Sequence, residues 1–256
     1  MLGGTLKVWL KGLAAVGIAR KTRAKTEDLI YICSMLKLFY TRLPEKFDGG
    51  FLERMRERVL PEVRDEVALC RNRSVVSRRL TGEIMVGEAI RQCWGLERSA
   101  YSIVRPQGGK PYVEKRKGIF FNVSHSGDYV VCAVSDQDLG VDIERRGKAR
   151  LGVARRFFHP EELACLERLP EDGRDRRFFD YWSVKEAFLK YVGTGLARPL
   201  NSFRVEFSHD KIGVFEGDAL LPVCVRECPV DREYACYLCS ESGEPVEWQE
   251  FALWRE

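Results

Sequence analysis

Apolar and polar positions along the chain fall into short blocks whose period switches between two and about 3.6 residues. The apolar, aromatic-rich stretch 30–42 predicts a first strand, with Asp48-Gly49-Gly50 as a turn after it. Residues 51–70 read as helix, broken or restarted at Pro61, and residues 77–94 continue as helix with Leu80, Ile84, Ala89 and Ile90 on apolar positions. Residues 120–127 predict a short strand running into a polar turn, and 129–135 a buried strand. Asp136-Gln137-Asp138 then turns the chain into a strand over 139–144, making a hairpin of the last two. Pro160 fits the first turn of a further helix, with Glu161 and Glu162 at its positive end. Residues 174–177 read as a charged loop before a helix that runs past Lys190 and is ended by Gly193 and Gly195. Alternation over 201–207, 212–215, 221–228 and 234–239 predicts a C-terminal sheet.

Two of these elements carry the chemistry. In Gly140-Val141-Asp142-Ile143-Glu144, residues two apart share a face, so both carboxylates project side by side. In Trp182-Ser183-Val184-Lys185-Glu186, followed by Ala187-Phe188-Leu189-Lys190, Glu186 and Lys190 share a helix face. Alone, the strand pair would read as exposed residues on the polar face of an edge strand. If the helix packs across the strand, three carboxylates and a lysine meet, a donor set suited to Mg²⁺ and to phosphoryl chemistry. Trp182 and Phe188 are expected in the core, and Lys185 is left open between a phosphate contact and a structural ion pair.

Composition adds little. A chain of 256 residues can bury a core, and 42 basic against 38 acidic residues are too balanced to argue for nucleic acid. No apolar run is long enough to span a bilayer, and nine scattered cysteines suit reduced thiols, so a soluble, cytoplasmic protein is expected. Cys224, Cys228, Cys236 and Cys239 sit in predicted strands rather than tight knuckles, which disfavours zinc. Residues 1–25 contain bases and no acid, and are expected to be a poorly ordered basic extension.

These motifs resemble those of the 4′-phosphopantetheinyl transferases, in particular the larger, surfactin-synthetase-activating type with two similar halves in one chain. The family order Gly-Val-Asp-x-Glu, then Trp-Ser-x-Lys-Glu-Ala-x-x-x-Lys, is matched by residues 140–144 and 182–190. Gly109-Lys110-Pro111, Phe121-Asn122-Val123-Ser124-His125-Ser126-Gly127, Arg155-Arg156-Phe157-Phe158 and Gly195-Leu196 follow the same order, and the likeness is firmest over 78–205. The resemblance implies an α+β fold of two similar α/β halves related by a pseudo-twofold. Each half would be a small sheet packed with helices, with the active site between them; the halves are expected at 26–138 and 139–256.

By the same resemblance, Asp142, Glu144 and Glu186 would hold Mg²⁺ (or Mn²⁺), and Glu186 and Lys190 would be catalytic. Arg78, Lys110, Ser124 and His125 would bind coenzyme A, the co-substrate. The implied activity is transfer of its 4′-phosphopantetheine arm to a serine of an acyl or peptidyl carrier protein, releasing 3′,5′-ADP. Such carriers are acidic, and Arg155, Arg156 or the 174–177 region could steer them. Two halves in one chain can complete a site, so a monomer is expected. The rival readings are an inactive coenzyme A-binding module and a metal-dependent phosphodiester hydrolase.

Overall fold

The computed structural model describes residues 35–46, 50–209 and 211–253; the expectations for 1–25, for the start of the first strand and for Asp48-Gly49 lie outside them. The strands are β1 (Leu36–Arg42), β2 (Ile103–Val104), β3 (Tyr112–Val113), β4 (Phe120–Ser126), β5 (Tyr129–Ser135), β6 (Leu139–Arg145), β7 (Arg204–Phe207), β8 (Ile212–Glu216), β9 (Ala219–Leu220), β10 (Cys224–Glu227), β11 (Tyr234–Ser240) and β12 (Glu247–Glu250). The helices are α1 (Phe51–Glu57), α2 (Pro61–Ala68), α3 (Arg73–Trp94), α4 (Leu151–Phe157), α5 (Pro160–Arg168) and α6 (Glu171–Val192). This is the mixed α+β class expected.

One sheet has the order β12-β1-β5-β4, and the other runs β6-β11-β10-β8-β7 with β9 beside β8. Strand alternation builds the layers. On β5, Val130, Cys132 and Val134 pack under α1–α3 with Leu80, Met85 and Ile90. Tyr129, Val131 and Ala133 point the other way, against Val141, Ile143, Cys236 and Leu238 of the second sheet. On β11, Ala235, Tyr237 and Cys239 pack against Val184 and Phe188 of α6. The order is helices, sheet, sheet, helices. β12 lies late in the chain yet pairs in parallel with β1, so the C-terminal stretch returns to the first sheet.

The predicted β5–β6 hairpin does not form. Both edges of β5 are taken, by β1 and β4, so 136–138 carries the chain across to the second sheet, where β6 pairs with β11. The free edge of β6 is met instead by side chains of β4. Asn122 Oδ1, Ser124 Oγ and Ser126 Oγ accept the N–H groups of Val141, Ile143 and Arg145 at 2.9, 3.3 and 3.0 Å. Three alternate side chains stand in for a backbone ladder.

Two helices begin earlier than expected. Asn72 caps α3, accepting from the N–H groups of Ser74 and Val75 at 3.1 and 3.3 Å. Residues 174–177 are helical, because α6 starts after Pro170 with Glu171 and Asp172 in its first turn. Helix α6 crosses β6 so closely that a Cβ on Gly140 would lie 2.1 Å from the Ala187 carbonyl oxygen and 2.3 Å from the Tyr191 nitrogen. The motif glycine is therefore a packing requirement. Gly140→Ala is expected to lower stability by about 3 kcal/mol, read from equilibrium urea unfolding; a change within error would show that α6 can move away.

Candidate active site

The close approach that Gly140 permits brings α6 over the Asp142–Glu144 face of β6. Ser183 Oγ donates to the Asp142 and Ala235 carbonyl oxygens at 3.0 and 3.4 Å, tying α6 to β6 and β11. Two turns on, Lys190 Nζ donates to Asp142 Oδ1 (2.7 Å), Ser124 Oγ (2.9 Å) and the Val141 carbonyl (3.1 Å). Ser124 Oγ also donates to Asp142 Oδ1 at 2.9 Å. The other oxygen of this buried carboxylate, Asp142 Oδ2, has no hydrogen-bond partner.

Glu144 accepts from Ser126 Oγ at 2.9 Å and from the Trp182 side chain. Burial, then the Asp142 charge, pushes its carboxyl above the usual range, opposed by those hydrogen bonds and by Lys190. Burial raises Glu186 as well, seconded by Asp142 and Glu144 against Lys190. The helix and strand thus bring three acids and a lysine into one electrostatically coupled group, as the spacing predicted. Among the described residues, no three His, Cys, Asp or Glu side chains are already gathered as a metal cage.

The Ser124-His125-Ser126 run lies within β4 rather than in a turn, since β5 pairs with it as far as Ser126. Alternation divides the run. Ser124 and Ser126 face β6, and the Ser124 hydroxyl is fully engaged by Asp142, Ile143 and Lys190. His125 faces a cavity of about 250 Å³ with Arg78, Arg105, Phe121 and Pro111. Burial lowers the His125 pKa, and the Arg78 and Lys190 charges lower it further. Arg78 donates to the Gly127 carbonyl at 2.8 Å.

Lys110 lies beyond, in a cavity of about 240 Å³ with Lys190, Gly109, Gly193 and Gly195; its Nζ donates to the Leu139 carbonyl (2.7 Å) and Asp138 (3.0 Å). Asn122, Val123 and Pro111 line both of these cavities, so they are neighbours. A third, of about 400 Å³, opens at the Ser126 end, walled by Glu144, Arg145, Arg150, Phe179 and Trp182.

Three residues take roles other than the obvious ones. Trp182 is half-buried and lines this last cavity, whereas Phe188 is core. Lys185, one position from Glu186, is wholly buried; it pairs with Glu162 at 2.8 Å and donates to the Leu200 and Phe203 carbonyls at 2.8 Å each. That settles it as a structural ion pair. Asn122 was missed: its role depends on a strand partner distant in sequence.

With this geometry in hand, the relatives are informative. A family model described as the 4′-phosphopantetheinyl transferase superfamily matches residues 138–239, and one for 4′-phosphopantetheinyl transferase, N-terminal, matches 56–137. The chain belongs to the 4′-phosphopantetheinyl transferase superfamily, and to its larger, Sfp-like type. A 4′-phosphopantetheinyl transferase of Bacillus subtilis is 31% identical over 206 residues, 80% of this chain and 92% of that relative. The transferase Sfp of Bacillus subtilis strain 168 is 31% identical, covering 73% and 84%. The transferase gsp of Aneurinibacillus migulanus is 27% identical, covering 80% and 86%. Among the described residues no helix is long and apolar enough to cross a membrane.

Lys185→Met strands the Glu162 carboxylate in the core and is expected to cost about 3–5 kcal/mol. Denaturant unfolding checks this, and activity per folded molecule should change little; a selective activity loss with stability intact would return Lys185 to the reacting group.

Proposed function

We propose that this protein transfers the 4′-phosphopantetheine arm of coenzyme A to a serine of an acyl or peptidyl carrier protein. The observation that carries the reading is the buried, unpartnered Asp142 Oδ2 beside two carboxyls held above their usual range. Such a group lacks positive charge, and its all-oxygen donors fit a hard divalent cation, Mg²⁺ or Mn²⁺. Asp142, Glu144 and Glu186 would hold it. When bound, the cation neutralises charge on the coenzyme A pyrophosphate.

The chain's own residues do the rest. The carrier serine oxygen forms a bond to the phosphorus that bears the pantetheine arm. The bond from that phosphorus to the bridging oxygen breaks, leaving 3′,5′-ADP. Glu186, a stronger base than an ordinary glutamate, takes the serine proton directly or through water. Lys190 can turn its ammonium from Asp142 to the oxygen on which charge develops. Coenzyme A fits the adjoining cavities of His125 and Lys110, with Arg78 and Lys110 as anion contacts.

The carrier would approach over the cavity of Trp182 and Glu144. Arg145 and Arg150 line it, and α4, which follows directly, bears Arg155 and Arg156. The 174–177 region is less suited, because Arg174 is engaged by the Leu166 and Leu169 carbonyls and Arg177 lies over the Phe207 ring. Replacing Arg150 and Arg155 together by alanine should raise the carrier KM severalfold and leave the coenzyme A KM unchanged. An unchanged carrier KM would remove this surface.

Transfer itself is tested by intact mass of an apo carrier after incubation with protein, coenzyme A and Mg²⁺. A gain of about 340 Da that EDTA abolishes is expected; release of 3′,5′-ADP without that gain would mean hydrolysis. The acids give a second test. Because the folded-state pKa of Glu186 is raised, its ionisation opposes folding. The penalty is absent below the ordinary glutamate range and complete once pH exceeds the raised value. Glu186→Gln should therefore stabilise the cation-free protein at neutral pH but not in acid. Mg²⁺ at about a hundred times its Kd should add about 2.7 kcal/mol to the parent protein and markedly less to the variant. Equal stabilisation of both by Mg²⁺ would count against Glu186 as a ligand.

A further inference from the structure

The four cysteines of the C-terminal sheet take no part in the transfer chemistry, and alternation along β10 and β11 sorts them. Cys239 is opposite Val225, and both pack on the α6 side of the sheet. Cys228 and Cys236 lie on the other side, in the layer between the two sheets with Ile143 and Leu238. Cys224 is opposite Ser240, one step out of register with Cys239, so those two point to different faces. Four sulfurs divided between two faces cannot converge on one metal ion.

Cys228 and Cys236 are differently placed. The register sets Glu227 opposite Tyr237, which brings Cys228 opposite Cys236 one step on, and the Cys228 N–H donates to the Cys236 carbonyl at 2.7 Å. Residues so paired have Cα atoms about 5.5 Å apart, inside the span of about 4.4–6.8 Å that a disulfide bridges. The two thiols are hydrogen-bonded to each other, and Cys228 Sγ also lies 3.7 Å from the Arg226 carbonyl oxygen. Both side chains are buried. Burial, seconded by Cys236, pushes the Cys228 thiol well above its ordinary value, so within the closed sheet it stays protonated and unreactive.

The two strands are not held equally. β11 is hydrogen-bonded on both sides, by β10 and by β6. Among the described residues β10 meets β8 only at Val225, opposite Ile212. Cys228 directly follows the end of β10, where its carbonyl accepts from the Val230 N–H at 2.7 Å in a tight turn. Cys228 is therefore the first of the pair to reach solvent when this strand end opens. We propose that Cys228 and Cys236 form a dithiol site that hydrogen peroxide converts to a cross-strand disulfide. The Cys228 thiolate attacks one peroxide oxygen, the O–O bond breaks, and hydroxide leaves, giving a sulfenic acid. The Cys236 sulfur then attacks the Cys228 sulfur, the S–O bond breaks, and the oxygen departs as water. Two thiols lose two electrons, and one peroxide becomes two waters. The bridge pins the open end of β10 to β11, whose other edge carries β6 with Asp142 and Glu144. This inference needs neither coenzyme A nor a bound cation.

The test treats the full chain with hydrogen peroxide, with and without urea below the unfolding transition. Remaining thiols are then alkylated in denaturant and the peptides mapped by mass spectrometry. A peptide pair linked through Cys228 and Cys236, and separated by dithiothreitol, is expected. It should form severalfold faster in urea, because opening limits the reaction. The bridged protein should unfold at a higher urea concentration than the reduced one. Cys236→Ser should leave Cys228 as sulfenic or sulfinic acid, with no rise in that midpoint. The half-buried Cys70, Cys93 and Cys165 serve as internal clocks. Cys228 and Cys236 still free in urea after those three are oxidised, or a bridge from either to another cysteine, overturns the inference.

Discussion

The contact on which the rest depends is the row of side-chain hydrogen bonds between β4 and β6. A strand at the edge of a sheet presents N–H groups that burial would leave unsatisfied, at a cost of about 1–3 kcal/mol each. Asn122, Ser124 and Ser126 answer three of them from a strand of the other sheet. The same hydroxyls turn to the acids: Ser124 to Asp142 and Ser126 to Glu144. Joining the sheets and setting the carboxylates are therefore one act, performed by the same atoms. Alanine at Ser124 would disturb both, so an activity loss there would not by itself identify a coenzyme contact.

Electrostatics then orders the acid group. Lys190 makes three hydrogen bonds, to Ser124, Val141 and Asp142, and so holds the centre in one geometry while Asp142 Oδ2 stays unmatched. Lys185, five residues earlier on the same helix, illustrates the contrast. It is bound by Glu162 and two carbonyls, with no water-exposed surface, and its work is to anchor α6 against α5. Two lysines of one motif meet different partners, Asp142 for one and Glu162 for the other, according to which face of the helix they occupy.

Much of this was legible in the sequence because it is local. Period-two alternation set Asp142 beside Glu144, helix spacing set Glu186 beside Lys190, and β5 read correctly as buried. What failed was what depends on partners remote in sequence. The supposed β5–β6 hairpin joins two sheets, because nothing local says that β1 and β4 already occupy both edges of β5. The Ser124-His125-Ser126 run, expected in a polar turn, continues β4, and strand alternation turns Ser124 toward the acids. The charged run 174–177 looked like loop, yet Pro170 and the acidic pair after it were a helix start in plain view. Gly140 could be read as a motif letter but not explained until α6 was seen against it.

The return of the C-terminal stretch to the first sheet has a mechanical meaning. β1 and β12 run parallel as neighbours, with Lys37 opposite Glu247 and Tyr40 opposite Glu250. Tension applied between Leu36 and Glu250 would pull the two strands lengthwise past each other. Their evenly spaced, slanted hydrogen bonds would then be loaded together, in shear, instead of unzipping one at a time. The second sheet, with the acids on its edge, lies in the chain between those two points and would feel no load until that clamp gave way. Single-molecule stretching would register this as one high-force rupture ahead of any loss of the acid cluster.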